Sequence, residues 1–452
     1  MKKSKLRLST THIILLSFLV AVLVGAVLLS LPISSATGEW TPFVDALFTS
    51  TTATCVTGLV VVPTFSAWST FGHIVILCLI QIGGLGVITV VSGLALMMHR
   101  KMGLSDRLLL QDAFNLNTLS GLSQFVKKVV LGTFLVEGIG ALLYMTVFVP
   151  EFGLKGIWIS VFTAISAFCN AGIDIIAENS LCNYVHNPIV NLTTCLLIFF
   201  SGIGFIVWWD VIRVLKLRKK RKIKVIKALS LHSKIALTTT LILIFGGAIF
   251  IFLFEYNNPQ TMENFTLYQK IQASFFQSVT TRTAGFATIP QENFSNGSAL
   301  ISVLLMFIGG SPVGTAGGIK TVTIAVVVAA AIAAIKNKKE VTMFNRTLSK
   351  EAVSKAVAVI CTSFFIMFMS TLLLSAVTDA SVIDILYETV SATATVGLTR
   401  NLTSSLNTVG KIIIIATMYF GRVGPISLAV ALNLKKQNPN IIKNPVEDIS
   451  VG

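Results

Sequence analysis

The sequence predicts an all-α polytopic membrane protein made of four similar units around a central axis. Three observations predict it: eight long apolar runs, basic clusters that recur after every second run, and four matching glycine segments at near-equal spacing. Of 452 residues, 54% are hydrophobic and only 12% charged, about half the charged fraction of a soluble domain. Mean hydropathy is +0.82.

The apolar runs are His12–Leu31, His73–Met98, Val129–Val149, Ile189–Trp209, Ile235–Phe254, Ala299–Ile335, Val353–Val377 and Ile412–Leu434. A span requires about 20 apolar residues, so each is a candidate crossing. The first follows Lys2, Lys3 and Lys5, as a signal peptide would, but it exceeds the roughly 7–15 residues of a signal h-region. It reads as a retained helix. The six cysteines show no metal-ligand spacing and read mainly as small buried hydrophobes.

The net charge of +16 is concentrated at Lys2–Arg7, His99–Arg107, Arg213–Lys227, Lys336–Arg346 and Lys435–Lys443. The intervening loops carry Glu39, Asp45, Glu151, Glu178, Glu255, Glu263, Asp379 and Asp384. That alternation is the positive-inside bias. It predicts eight crossings and both termini in the cytoplasm, with the basic loops, Arg213–Lys227 above all, facing anionic lipid or an acidic partner surface rather than nucleic acid.

Four segments repeat: TATCVTGL around Gly58, SAFCNAGI around Gly172, TTRTAGF around Gly285 and SATATVGL around Gly397, separated by 114, 113 and 112 residues. Ten residues before the glycines stand Phe48, Phe162, Phe275 and Tyr387, and an apolar residue follows each glycine. Each segment follows a semi-polar helix-like stretch, such as Pro42–Ala53 or Ile383–Ala394, too short to cross a membrane. On the outer side, such a stretch is a re-entrant loop, tolerated only where protein or a water-filled cavity lines it. The units are therefore read as membrane–pore–membrane repeats over residues 1–98, 99–214, 215–335 and 336–452, the last with a cytoplasmic tail. They provide eight transmembrane helices and four re-entrant pore loops around a central pore.

A cation filter made of backbone carbonyls requires small residues and one permissive φ/ψ. The candidates are Val56, Thr57 and Gly58, then Asn170, Ala171 and Gly172, then Thr283, Ala284 and Gly285, and finally Thr395, Val396 and Gly397. No acidic side chain lies within them, so selection by carbonyl dipoles suits potassium better than a divalent ion. Asp174 is expected at the outer mouth. The bland alternative is helix packing through small residues, which four segments in register argue against.

Two further places break the pattern. The longest apolar run contains Gly309, Gly310, Ser311, Pro312, Gly314, Thr315, Gly317, Gly318 and Lys320, which cannot remain one straight helix. It is expected to unwind below the filter and to gate it. Arg422 in YFGRVGPIS sits inside the last span, where an ionisable residue is functional by default. It is read as an electrostatic barrier or as a hold on the loop carbonyls; Lys320 either acts similarly or snorkels. Arg282 and Arg400 are placed behind the filters, with Glu388 as an ion-pair candidate. Only the third unit is expected to have a broken inner helix.

These motifs, together with QIGGLGV at Gln81–Val87, resemble the Trk, Ktr and HKT superfamily of K⁺ transporters along the whole chain, most closely the bacterial Ktr-type membrane subunit. The resemblance implies channel-like potassium uptake by a homodimer in the bacterial plasma membrane, with potassium as substrate and sodium as activator. It also implies an octameric cytosolic ring of RCK-type regulatory subunits that binds ATP or ADP, this chain itself holding no covalent cofactor. By resemblance the filter maps to Gly58, Gly172, Gly285 and Gly397, the gating loop to Gly309–Lys320, and the pore arginine to Arg422. Some plant relatives carry Ser at the first filter glycine and favour sodium, so Gly58 argues against that preference. The competing function is a Na⁺- or H⁺-coupled symporter with alternating access; parallel two-span units favour a channel. An enzyme is not expected, because no HExxH, GxSxG or comparable constellation occurs in the spans.

Overall fold

A computed structural model describes residues 10–97, 103–113, 121–177, 179–221 and 225–424. Both chain ends, the Lys2–Arg7 and Lys435–Lys443 clusters, the second half of the last apolar run, Glu178 and the boundary between the first two predicted units lie outside these residues. Helices account for most of the rest.

The long apolar runs form α1 (Thr10–Ser30), α6 (Leu122–Phe152), α10 (Leu231–Glu255) and α14 (Lys350–Ser375), all long and apolar enough to cross a membrane. Hydroxyl N-caps set two of the starts: Ser230 Oγ accepts from Ser233 N–H at 3.2 Å, and Ser349 Oγ from Ala352 N–H at 3.2 Å. Each cap satisfies one of the orphan donors at a helix start. After each long helix comes a short one: α2 (Phe43–Cys55), α7 (Lys155–Cys169), α11 (Leu267–Thr280) and α15 (Val382–Ala394).

The second apolar helix of each predicted unit departs from a straight span. In the first unit α3 (Thr70–Leu85) and α4 (Val87–Met97) meet at 96°. In the second, α8 (Pro188–Gly202) and α9 (Phe205–Arg221) meet at 93°. The breaks fall at Gly86 (φ 84°) and Gly204 (φ 89°), a left-handed backbone that glycine adopts at little cost. In the third, α12 (Asn296–Phe307) stops before the glycine-rich loop and α13 (Thr321–Ile335) resumes after it. The fourth contributes α16 (Thr408–Val423). The expectation that only the third copy is broken is thus corrected. One glycine at positive φ is enough to turn a helix through more than 90°, and hydropathy does not register it. Between α4 and α6 lies the short helix α5 (Leu104–Ala113). In the Lys336–Arg346 segment, β1 (Thr342–Met343) pairs antiparallel with β2 (Arg346–Thr347).

The units pack in a closed order. Gln81 on α3 donates to Glu137 on α6 at 3.4 Å, joining the first to the second. Leu181 N–H donates to the Ala287 carbonyl at 2.9 Å, joining second to third. Tyr387 on α15 donates its hydroxyl to Gln291 at 2.9 Å, joining third to fourth. Lys411 on α16 pairs with Asp45 on α2 at 2.6 Å, joining fourth back to first. Asp45 lies in the first turn of α2, where a carboxylate is also favoured by the helix dipole.

Glu255, at the end of α10, is fully buried and gathers the corner that precedes the third glycine segment. It accepts from Asn258 at 2.7 Å, Thr261 at 2.5 Å, and Ser295 through both N–H (3.0 Å) and hydroxyl (2.7 Å). Glu255→Ala would strand these donors, at about 1–3 kcal/mol for each group left buried without water. We expect a clear fall in the thermal unfolding midpoint in detergent and a smaller fall for Glu255→Gln; an unchanged midpoint for Glu255→Ala would show that the carboxylate does not hold this corner.

Candidate functional site

The four short helices end in the same way. Val56, Asn170 and Thr395 follow α2, α7 and α15 in left-handed conformation (φ 55°, 58° and 52°), and Thr283 has φ 70°. Two residues later Gly58, Gly172, Gly285 and Gly397 also have positive φ. Three of the four left-handed residues before the glycines are β-branched, a type that avoids this region, and each such residue costs on the order of 1–3 kcal/mol. Helix-end hydrogen bonds offset part of that strain. Thr57 N–H reaches back to Thr52 O, Ala171 N–H to Ser166 O, and Val396 N–H to Ser391 O, each at 2.8 Å. These satisfy carbonyls left open at the helix ends.

Beyond these turns the glycines meet. A methyl group on Gly58 would strike the Ala171 carbonyl oxygen, and one on Gly172 would strike that of Ala284. One on Gly285 would strike Val396 O, and one on Gly397 would strike Thr57 O. Each glycine therefore faces the carbonyl just before the glycine of the next unit, and the fourth returns to the first. The structure brings together all twelve residues named from the sequence around one ring, with every one of them buried.

Hydroxyl groups that the sequence reading passed over support this ring. Thr52 Oγ1 accepts from Gly58 N–H at 2.9 Å and Ser391 Oγ from Gly397 N–H at 3.0 Å. Ser166 Oγ accepts from Ile173 N–H at 3.1 Å, and Thr280 donates to Phe286 O at 2.6 Å. The signal was present, since all four motifs begin with a hydroxyl residue. The third unit is offset by one position. Its hydroxyl lies five residues before the glycine rather than six, and Phe276, not Phe275, takes the fully buried aromatic place.

The glycine-rich loop runs directly beneath the ring. Ser311 N–H donates to Gly202 O at 2.7 Å, Phe205 N–H to Val313 O at 2.8 Å, and Thr321 N–H to Gly310 O at 2.9 Å. Ring side chains hold it from above: Asn170 donates to Thr315 Oγ1 at 2.9 Å, and Gly317 N–H donates to Thr283 Oγ1 at 3.1 Å. Cations hold its carbonyls. Arg422 donates to Thr315 O at 2.7 Å and also to the carbonyls of Gly83 and Gly84 at the first helix break. Lys320 folds back onto Ala316 O at 2.6 Å rather than reaching for an aqueous surface. Arg282 donates to Gly309 O at 2.8 Å. Below the loop, on the side of the basic clusters, a cavity of about 380 Å³ is lined by Phe18, Gly86, Asp112, Lys320 and Arg422 among others.

Three placements differ from expectation. Arg400 pairs with Asp384 at 2.7 Å and donates to the carbonyls of Gln291 and Phe294. Glu388 instead accepts hydroxyl hydrogens from Thr399 at 2.6 Å and Thr403 at 2.5 Å, and forms no ion pair among the described residues. A buried carboxylate satisfied by two short side chains on its own loop requires no guanidinium nearby. Asp174 is buried rather than open to solvent, and its carboxylate accepts from Ile176 N–H at 3.2 Å. A further carboxylate was missed altogether: Glu137, buried halfway along α6, receives Gln81 at 3.4 Å and lies 3.9 Å from the Cys169 sulfur behind the second segment.

If Arg422 holds the loop under the ring, its removal exposes the loop. In a background lacking the six native cysteines, Ala316→Cys is expected to react with a small thiol reagent several-fold faster when Arg422→Gln is added. Equal rates would mean that the guanidinium does not restrain the loop.

The chain is 40% identical to Ktr system potassium uptake protein B of Bacillus subtilis, over 99% of this chain and 97% of that protein. It is 38% identical to the protein of the same name from Vibrio alginolyticus, covering 100% and 97%. Potassium/sodium uptake protein NtpJ of Enterococcus hirae shares 36%, covering 100% and 99%. Among solved structures, the potassium transporter TrkH from Vibrio parahaemolyticus superposes with a TM-score of 0.76 over 96% of this chain and 86% of that one; at 16% identity this likeness speaks for the fold. These relatives are transporters and not enzymes. A match over residues 2–443 to the family described as TrkH, cation transport protein, completes the assignment: the chain is a member of the TrkH family of cation transport proteins.

Proposed function

We propose that this protein is a multi-pass plasma-membrane subunit for potassium uptake, in which the ion permeates a channel-like path through the glycine ring. The observation that carries this reading is the closed cycle of glycines and carbonyls at the ends of four short helices. Carbonyl dipoles replace a cation's hydration shell, and the negative ends of four helix dipoles point at the same place. The relatives named for potassium uptake support the choice of ion, while the potassium/sodium name of one of them leaves room for sodium passage. On this reading residues 1–98, 99–214, 215–335 and 336–452 are membrane–pore–membrane repeats, and both termini are cytoplasmic.

The loop from Gly309 to Lys320 is the gate, and Arg422 holds it closed. A hydrogen bond to a charged donor contributes about 1.5–3 kcal/mol, enough to shift a two-state loop by roughly ten- to a hundredfold. Sodium activates uptake without residing as a cofactor. The protein works as a homodimer above an octameric RCK-type ring, and ATP or ADP binds the ring rather than this chain; the Ktr "system" names of the relatives support a separate regulatory subunit.

Rubidium and potassium uptake in a bacterium lacking its own potassium-uptake systems tests both parts. Gly285→Ser places a side chain against Val396 O and is expected to raise the KM for potassium about tenfold, or about 1.4 kcal/mol, with weaker discrimination against sodium. Arg422→Ala is expected to raise the maximal rate several-fold with little change in KM. Wild-type kinetics for the glycine variant would remove the ring from the permeation path, and an unchanged maximal rate for the arginine variant would make Arg422 structural.

A further inference from the structure

The bent second span of the second unit builds a groove that ion permeation does not use. It lies between α6, α8 and α9, encloses about 410 Å³, and is lined by apolar side chains apart from Thr193. That volume falls within the roughly 300–1,000 Å³ of ligand pockets. Leu143 (41% exposed), Leu196 (41%) and Phe200 (42%) form open walls, and Trp208 and Ile212 close the cytoplasmic end.

The end towards the basic clusters is cationic. Along α6, Lys128, Gly132 and Val136 follow at intervals of four residues, so they share one face of the helix. Gly132 lets α6 press on the indoles, since a Cβ there would lie 3.3 Å from the Trp208 ring and 3.9 Å from that of Trp209. Exposed Lys128 holds its ammonium 5.3 Å above the Trp209 ring. On α9, exposed Lys216 is one turn beyond Ile212 on the same face, whereas Arg213 is occupied by Asp210. An apolar slot with two exposed lysines on the faces of α6 and α9 that border its cytoplasmic end matches an acyl chain joined to a phosphate.

We propose that this groove binds one anionic phospholipid of the inner leaflet, with an acyl chain between Leu143, Leu196 and Phe200 and the phosphate at Lys128 and Lys216. A second copy of this chain is the poorer occupant. A twofold contact through this face sets the same patch against itself and brings four lysines together. The location also gives the lipid leverage over transport. The α8–α9 elbow that floors the groove carries the gating loop, through Gly202 O to Ser311 N–H and Phe205 N–H to Val313 O. Trp208 braces the elbow by donating to Phe200 O at 2.7 Å. A seated lipid therefore stiffens the elbow and favours the loop position seen beneath the ring.

Lipid retention tests this without reference to ion flux, so its failure is separable from failure of the potassium reading. Protein in nanodiscs of phosphatidylcholine with phosphatidylglycerol is transferred to detergent, and the retained lipid is counted by native mass spectrometry. The wild type is expected to keep one phosphatidylglycerol. Lys128→Gln with Lys216→Gln should reduce its preference over phosphatidylcholine about tenfold. Leu196→Trp should abolish retention of either lipid, while Leu192→Trp, one turn away and outside the groove, should retain wild-type behaviour and control for folding. Indifference to headgroup in the wild type, or undiminished retention by Leu196→Trp, overturns the proposal. So does a Leu196→Trp variant that dissociates into smaller assemblies with its lipid unchanged, since the groove would then be an interface between copies.

Discussion

Everything in this protein is arranged around one contact, the approach of a glycine in each unit to a carbonyl in the next. No side chain fits there, because a Cβ on any of the four glycines collides with backbone oxygen. Backbone oxygen does not move aside as the far end of a flexible side chain does. The contact therefore dictates the turns that precede it, including left-handed Val56, Thr283 and Thr395, and it dictates the buried hydroxyls behind it. Strain of this kind persists only where its surroundings over-determine it, here through helix-end hydrogen bonds and fully buried Phe48, Phe162, Phe276 and Tyr387.

The symmetry of the ring is spent in an unequal way below it. A glycine break turns the second helix of the first two units, a whole loop interrupts it in the third, and the fourth supplies Arg422. These departures meet. Arg422 grips Thr315 of the loop and the first helix break together, while the second break accepts Ser311 and donates to Val313. The loop is thus a junction of all four units, and one arginine in the last helix contacts a segment about a hundred residues earlier in the chain. The same junction extends sideways through the elbow of α8 and α9 to the apolar groove proposed to hold a lipid.

Buried charge is handled in two distinct ways. Carboxylates away from the ring, Glu255 and Glu388, are satisfied by hydroxyls and amides of nearby loops. Cations near it, Arg282, Lys320 and Arg422, donate to backbone carbonyls of the loop. An ion pair would neutralise either kind, but it would also tie each charge to one partner. Carbonyl acceptors leave the positive charge uncompensated beside the ring, which under the proposed function is what opposes a passing cation until the loop moves.

Much of this was legible in the chain itself. Hydropathy and the alternation of basic clusters determined the apolar helices, because a membrane leaves no other place for such runs. The spacing of Gly58, Gly172, Gly285 and Gly397 determined the ring residues, because only small residues in register can share an axis. Five glycines with Pro312 announced the loop, and Arg422 announced its partner in mid-span. Tertiary structure alone decided the rest. The breaks at Gly86 and Gly204 each depend on a single φ, the partner of Arg400 proved to be Asp384 rather than Glu388, and the third unit slipped by one residue. Glu137 became visible only once Gln81 and Cys169 were packed against it. Each of these depends on which groups become neighbours in space, and a periodic pattern records only which face of a helix is apolar.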